Sequence, residues 1–209
     1  MLPHQTRTPP FGTPARPESR FTWEAIRRPL ATVAEPADAC WIEAGPGRLV
    51  AALAHPIGHE AGGPQLAARA IDIVRTASDA SLRAAAAAVH AALVGTRGVS
   101  LALIRIEGGS LEFLSIGTIR GAVDDGAATV LPTQPGIVGV GAAIAPAPVI
   151  TAWSRGSVLL LTRDGVIESW AALPHGASRL TTGAILRRLS GARGRPPDDG
   201  TAIVFREHA

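Results

Sequence analysis

The apolar positions of this chain change period several times, and each change marks an element. Phe21 to Arg28 alternates loosely and runs into Pro29, as a strand reaching a turn does. Ala39 to Glu43 and the apolar run Leu49 to Ala54 flank the turn Gly45-Pro46-Gly47, which predicts a hairpin. From Pro64 onward, Leu66, Ala70, Ile73 and Ala77 recur at helical spacing, with proline tolerated in the first turn. A second helix follows, in which Asp79 or Ser81 is placed to cap and Leu82, Ala86, Val89 and Leu93 form one apolar stripe. The period then becomes that of strands. Val99 to Ile106, Leu111 to Ile116, Ile119 to Val123 and Ala128 to Leu131 are short runs separated by turns such as Gly108-Gly109 and Asp124-Asp125-Gly126, which predict an antiparallel meander. Val149 to Trp153 and Val158 to Thr162 are expected to continue that sheet, Thr181 to Leu189 to form a helix, and Thr201 to Phe205 a closing strand.

Strands, two helices, more strands, then a helix and a strand is an α+β order. Two antiparallel β-sheets packed as a sandwich, with helices outside, bury both apolar surfaces. A chain of 209 residues supports one good core, so residues 21–209 read as one domain. Residues 1–20 are rich in proline and lack apolar periodicity, and are expected to be a disordered tail. That stretch has no apolar region of a signal peptide, and no later apolar run is long enough to span a bilayer. A cytoplasmic protein with no membrane partner is the expectation. The single Cys40 leaves no internal disulfide to form, and beside Trp41 it reads as small core filler.

Charge changes the picture less than it first suggests. The isoelectric point of about 10.7 accompanies a net charge of only +3. The chain has no lysine, and arginine's high pKa alone carries the neutral point upward. The arginines are scattered and aromatic residues make up 4% of the chain, so no nucleic-acid partner is expected.

Candidate chemistry lies at expected strand ends. Asp38 precedes a strand, His55 and Asp164 each follow one, and Asp198 precedes the last. Such ends converge on one rim of a sheet stack, and gathered carboxylates suit hard divalent cations. Taken singly, each reads first as a common turn residue.

Several short motifs, in order, resemble the SpoIIE and RsbX branch of the bacterial type 2C (PPM) protein phosphatases. Glu24 to Pro29 and Ala37-Asp38-Ala39 stand where that family opens with an Arg-Pro and a Gly-Asp. Leu53 to Glu60 resembles its Asp-Gly-x-Gly-His-Gly, and Gly95-Thr96-Arg97-Gly98 its Thr-Arg-Gly entry into a strand. Gly117-Thr118-Ile119 resembles a Gly-Asn-Ile turn, and Pro135 to Gly139 the glycine-rich stretch. Arg163-Asp164-Gly165-Val166 resembles the Ser-Asp-Gly, and Asp198-Asp199-Gly200-Thr201 the closing Asp-Asp-x-Thr. The resemblance spans Trp23 to Glu207.

It implies an α-β-β-α sandwich with two manganese or magnesium ions at one end. There a metal-held hydroxide attacks the phosphorus of a phosphoserine or phosphothreonine. Its partner would be a phosphorylated regulatory protein, such as a STAS-domain or related stress-signalling component. By position, Asp38, Asp164 and Asp198 match metal-binding carboxylates, and His55 stands where the family has the aspartate that bridges both ions. A carboxylate joins two cations, whereas an imidazole offers one lone pair once its other nitrogen is protonated. His59 matches the family's histidine between glycines, and Glu60 is either a compensating carboxylate or an acid in the first turn of a helix. Two readings follow: a serine/threonine phosphatase impaired at its shared ligand, holding one ion or none, and a pseudophosphatase that binds the same partner without turnover. On the first, His55→Asp combined with Pro56→Gly is expected to raise metal affinity and activity on a small aryl phosphate above those of the unaltered chain.

Overall fold

The computed structural model describes residues 19–28, 37–58, 60–142, 144–163, 177–191 and 200–208. Two five-stranded antiparallel sheets stack face to face. The first has the order β1-β10-β9-β6-β7, and the second β2-β3-β4-β5-β8. The strands are β1 (Phe21–Arg28), β2 (Ala39–Gly45), β3 (Arg48–Pro56), β4 (Val99–Glu107), β5 (Ser110–Ile116), β6 (Arg120–Asp124), β7 (Ala128–Leu131), β8 (Val149–Ala152), β9 (Val158–Thr162) and β10 (Gly200–Glu207). Helices α1 (Gly63–Thr76) and α2 (Leu82–Leu93) cover the second sheet, and α3 (Thr182–Gly191) covers the first. Among the described residues no helix is long and apolar enough to cross a membrane.

Parity along the strands produces this layering. On β3, Leu49, Ala51 and Leu53 enter the layer between the sheets, while Val50, Ala52 and Ala54 pack against α1 and α2. On β9, Leu159 and Leu161 face inward and Val158 and Leu160 face α3. On β10, Ile203 and Phe205 face inward and Ala202 and Val204 face α3. These strands read as continuous apolar runs because both their faces are buried. The small residues Ala67 and Ala70 of α1, with Ala85 and Ala86 of α2, lie in the same cluster and let the helices approach the sheet closely. Ser81, not Asp79, caps α2 by accepting the Ala84 N–H at 3.2 Å; Asp79 instead meets Arg48 at 3.3 Å.

The expected meander is not one sheet. β4 and β5 pair in the second sheet, but the chain then crosses, so that β6 and β7 join the first. Nor do the next two strands continue together: β8 pairs with β5, and β9 lies between β10 and β6. The crossing occupies Gly117 to Ile119. Gly117 has φ of 101°, and a Cβ there would lie 2.4 Å from the Ser100 hydroxyl, so glycine alone fits. The Ser115 hydroxyl donates to the Ile119 carbonyl at 2.7 Å and closes the corner.

A second glycine matters for packing alone. Gly121 on β6 sits under the buried ring of Phe113 on β5, and a Cβ there would come within 2.6 Å of that ring. Gly121→Ala is therefore expected to destabilise the fold by about 1–3 kcal/mol, the range for overpacking a core. Gly45→Ala, with nothing within 4 Å of the new Cβ, serves as the control. Chemical denaturation of both variants checks this, and equal midpoints would contradict the packing account.

Candidate functional site

The parity that buries the core also sets four polar side chains at one end of it. Asp38 continues the inward series of Cys40 and Ile42 on β2, and His55 continues that of Ala51 and Leu53 on β3. Because Ala39 pairs with Ala54, extending the ladder by one position sets Asp38 opposite His55. In the other sheet Arg163 follows Leu159 and Leu161 of β9, and Thr201 precedes Ile203 and Phe205 of β10. The Arg163 N–H donates to the Thr201 carbonyl at 3.0 Å and extends that ladder too. Two neighbouring pairs, one from each sheet, thus meet across the end of the sandwich. All four residues are buried.

Their hydrogen bonds link the sheets. His55 Nδ1 lies 2.7 Å from Asp38 Oδ1, and Arg163 Nη2 lies 2.8 Å from His55 Nε2. Arginine has only donors, so Nε2 must accept and the imidazole proton sits on Nδ1, donated to Asp38. Arg163 Nη1 is 3.8 Å from the same Asp38 oxygen, and the Thr201 hydroxyl donates to Asp38 Oδ2. Burial by itself would raise the Asp38 pKa. The His55 hydrogen bond, the Arg163 charge and the Thr201 hydroxyl outweigh it and hold the carboxyl below its ordinary value.

Of the four metal-ligand candidates, the structure brings Asp38 and His55 together, while Asp164 and Asp198 lie outside the described residues. His59 lies outside them as well. No third histidine, cysteine or acidic residue joins Asp38 and His55 among the described residues. Glu60 takes neither of its expected roles. It precedes the Gly62 cap of α1 and so is not in the first turn, and its carboxylate meets Arg97 at 2.5 Å while Arg97 also donates to the Glu60 carbonyl at 2.9 Å. The arginine of the Thr-Arg-Gly motif therefore fastens the loop after β3. Cys40 is buried between the sheets, as are Trp153 and, in part, Trp23; Trp41 is buried on the helix side.

Arg163 and Thr201 carried no role in the sequence reading. Strand parity was the signal for both, since each lies an even number of residues from an inward apolar position on its strand.

Among the described residues, the side chains of Asp38, His55, Arg163 and Thr201 do not fit a dinuclear metal centre. Both nitrogens of His55 are committed to protein partners, Asp38 accepts from a histidine and a threonine, and a fixed cation stands 3.8 Å from the same carboxylate. A dication there would meet a like charge and find no bridging oxygen at position 55.

The Asp38 shift has a consequence for stability. A carboxyl held below its ordinary value of 3.8 adds stability that is complete above that value and is lost as pH falls through the folded-state pKa. Asp38→Asn is expected to destabilise by about 3–5 kcal/mol at neutral pH, as breaking one side of a buried ion pair does. That deficit should shrink in strong acid. Urea titrations at both pH values check this, and a deficit unchanged by acid would contradict it.

Solved structures share this architecture over most of the chain. A chain of the bacterial stressosome, described as "a modular system that has been adapted to control secondary messenger signaling", superposes with a TM-score of 0.78 at 24% identity, over 89% of this chain and 99% of its own. RsbX in complex with magnesium gives 0.76 at 16% identity, over 88% of this chain and 94% of its own. The PP2C phosphatase domain of SpoIIE from Bacillus subtilis, solved with a fragment of its regulatory domain, gives 0.73 at 18% identity, over 91% of this chain and 64% of its own. No family model matches the chain, and no curated protein matches it in sequence. At these identities the likeness is one of fold, and it agrees with the order of the sequence motifs: this chain has the fold of the type 2C, or PPM, protein phosphatases, in the form seen in RsbX and SpoIIE.

Proposed function

We propose that this chain is a regulatory module of the SpoIIE/RsbX kind in bacterial stress signalling, which recognises a phosphorylated regulatory protein without turning it over. The observation that carries this reading is His55. At the position where the resemblance puts a bridging carboxylate, it holds an imidazole bonded at both nitrogens inside the protein. The two-metal water of the intact centre then has no shared ligand to hold it. Likeness to RsbX, to SpoIIE and to a chain of the bacterial stressosome supports a regulatory protein as the partner, and the resemblance of the sequence motifs implies one of the STAS-domain class carrying phosphoserine or phosphothreonine.

A second reading, a weak manganese- or magnesium-dependent serine/threonine phosphatase, is supported by Asp38 at its family position together with Asp164 and Asp198 in the chain. A serine-phosphorylated STAS domain separates the two. The regulatory reading expects saturable binding that prefers the phosphorylated form, with no phosphate released above a protein-free control in the presence of manganese. Manganese-dependent release over many turnovers would replace it with the enzyme reading, and equal binding of both forms would remove the phosphoprotein from the proposal.

A further inference from the structure

We infer that the guanidinium of Arg163 has taken over the electrostatic role of a metal ion, so that this phosphatase fold carries its cation as part of the chain. A carboxylate buried between two sheets must be neutralised, because an isolated charge in such surroundings is expensive. Among the described residues the charge that neutralises Asp38 is Arg163, 3.8 Å away and itself buried.

Arg163 stands at the serine of the Ser-Asp-Gly motif, and His55 at the first aspartate of the Asp-Gly motif. Both residues depart from the pattern, and the two departures touch, with Nη2 of one 2.8 Å from Nε2 of the other. Their chemistry is complementary. An aspartate at 55 beside Asp38 would place two carboxylates together and call for dications. A histidine contributes no negative charge and presents a single acceptor, which suits a donor-only guanidinium. A serine at 163 would leave Asp38 and His55 without their cation. The sheets are then joined by Arg163, His55, Asp38 and Thr201 with no ion required.

This arrangement alters what restoration of the site requires. With aspartate at 55 and glycine at 56, the new carboxylate would face Arg163 and form a charge-assisted pair with it. His55→Asp with Pro56→Gly is therefore insufficient, and Arg163→Ser must accompany it.

The inference deepens the regulatory reading, on which it rests for the loss of turnover, but the two fail separately. Partner binding tests the first, and metal binding tests the second. Manganese is titrated calorimetrically into the wild type, the His55→Asp/Pro56→Gly variant and that variant with Arg163→Ser added. The wild type and the double variant are expected to bind weakly or not at all. The triple variant is expected to bind at least about a hundredfold more tightly than the double, the scale of removing a like charge a few ångströms from a dication in protein surroundings. Equal affinities for the double and triple variants would overturn the inference.

The unaltered protein supplies a check that depends on no variant folding. Its melting temperature should be the same with manganese or with a chelator, since a ligand that binds only the folded state raises it. A rise of several degrees with manganese would overturn the inference outright.

Discussion

A carboxylate enclosed between two sheets has to be matched by a cation, and the way this chain meets that requirement at Asp38 organises the end of its sandwich. The apolar layer between the sheets is non-directional and would tolerate small relative shifts. The polar end is directional. Arg163 lies at the end of a central strand of one sheet, and it engages His55 and Asp38 at the facing end of the other while Thr201 donates to Asp38. Register in the two sheets is thereby coupled, since a one-residue slip in β3 or β9 would turn His55 or Arg163 away from the layer. Breaking such a network from one side leaves a buried charge uncompensated, which is why its members depend on one another.

Arginine has the same use elsewhere in the molecule. Arg105 on β4 donates to the carbonyls of Ser78 and Ala80 in the turn between α1 and α2. Arg206 on β10 donates to the carbonyls of Ala177, Ser178 and Leu180 in the turn that leads into α3. Arg97 holds the loop after β3 through the Glu60 side chain and carbonyl. In each case a planar fork of donors gathers acceptors that a single ammonium would engage less specifically.

Much of this was legible in the sequence. The central strands announced themselves as continuous apolar runs because they are buried on both faces, and the helices did so through the stripe of Leu82, Ala86, Val89 and Leu93 and the alanines around it. The order of elements was enough for an α+β sandwich flanked by helices. The crossing at Gly117 to Ile119 was not legible, because a tight glycine corner between two strands has the same local pattern whether the strands share a sheet or not. At the site, Asp38 and His55 were visible as strand-end residues in family motifs. Arg163 was not, since an arginine before Asp-Gly resembles an ordinary turn residue. Its direction is fixed by parity one residue beyond β9, and its partners come from the opposite sheet.

On this inference the Arg163 guanidinium stands in place of the metal that the resemblance to the phosphatase family implies. Crystals grown in manganese and measured at the manganese absorption edge test it most directly. The account predicts no anomalous peak beside Asp38, with Arg163 in hydrogen-bond reach of His55. A manganese peak beside Asp38, with Arg163 turned out of the site, would contradict it.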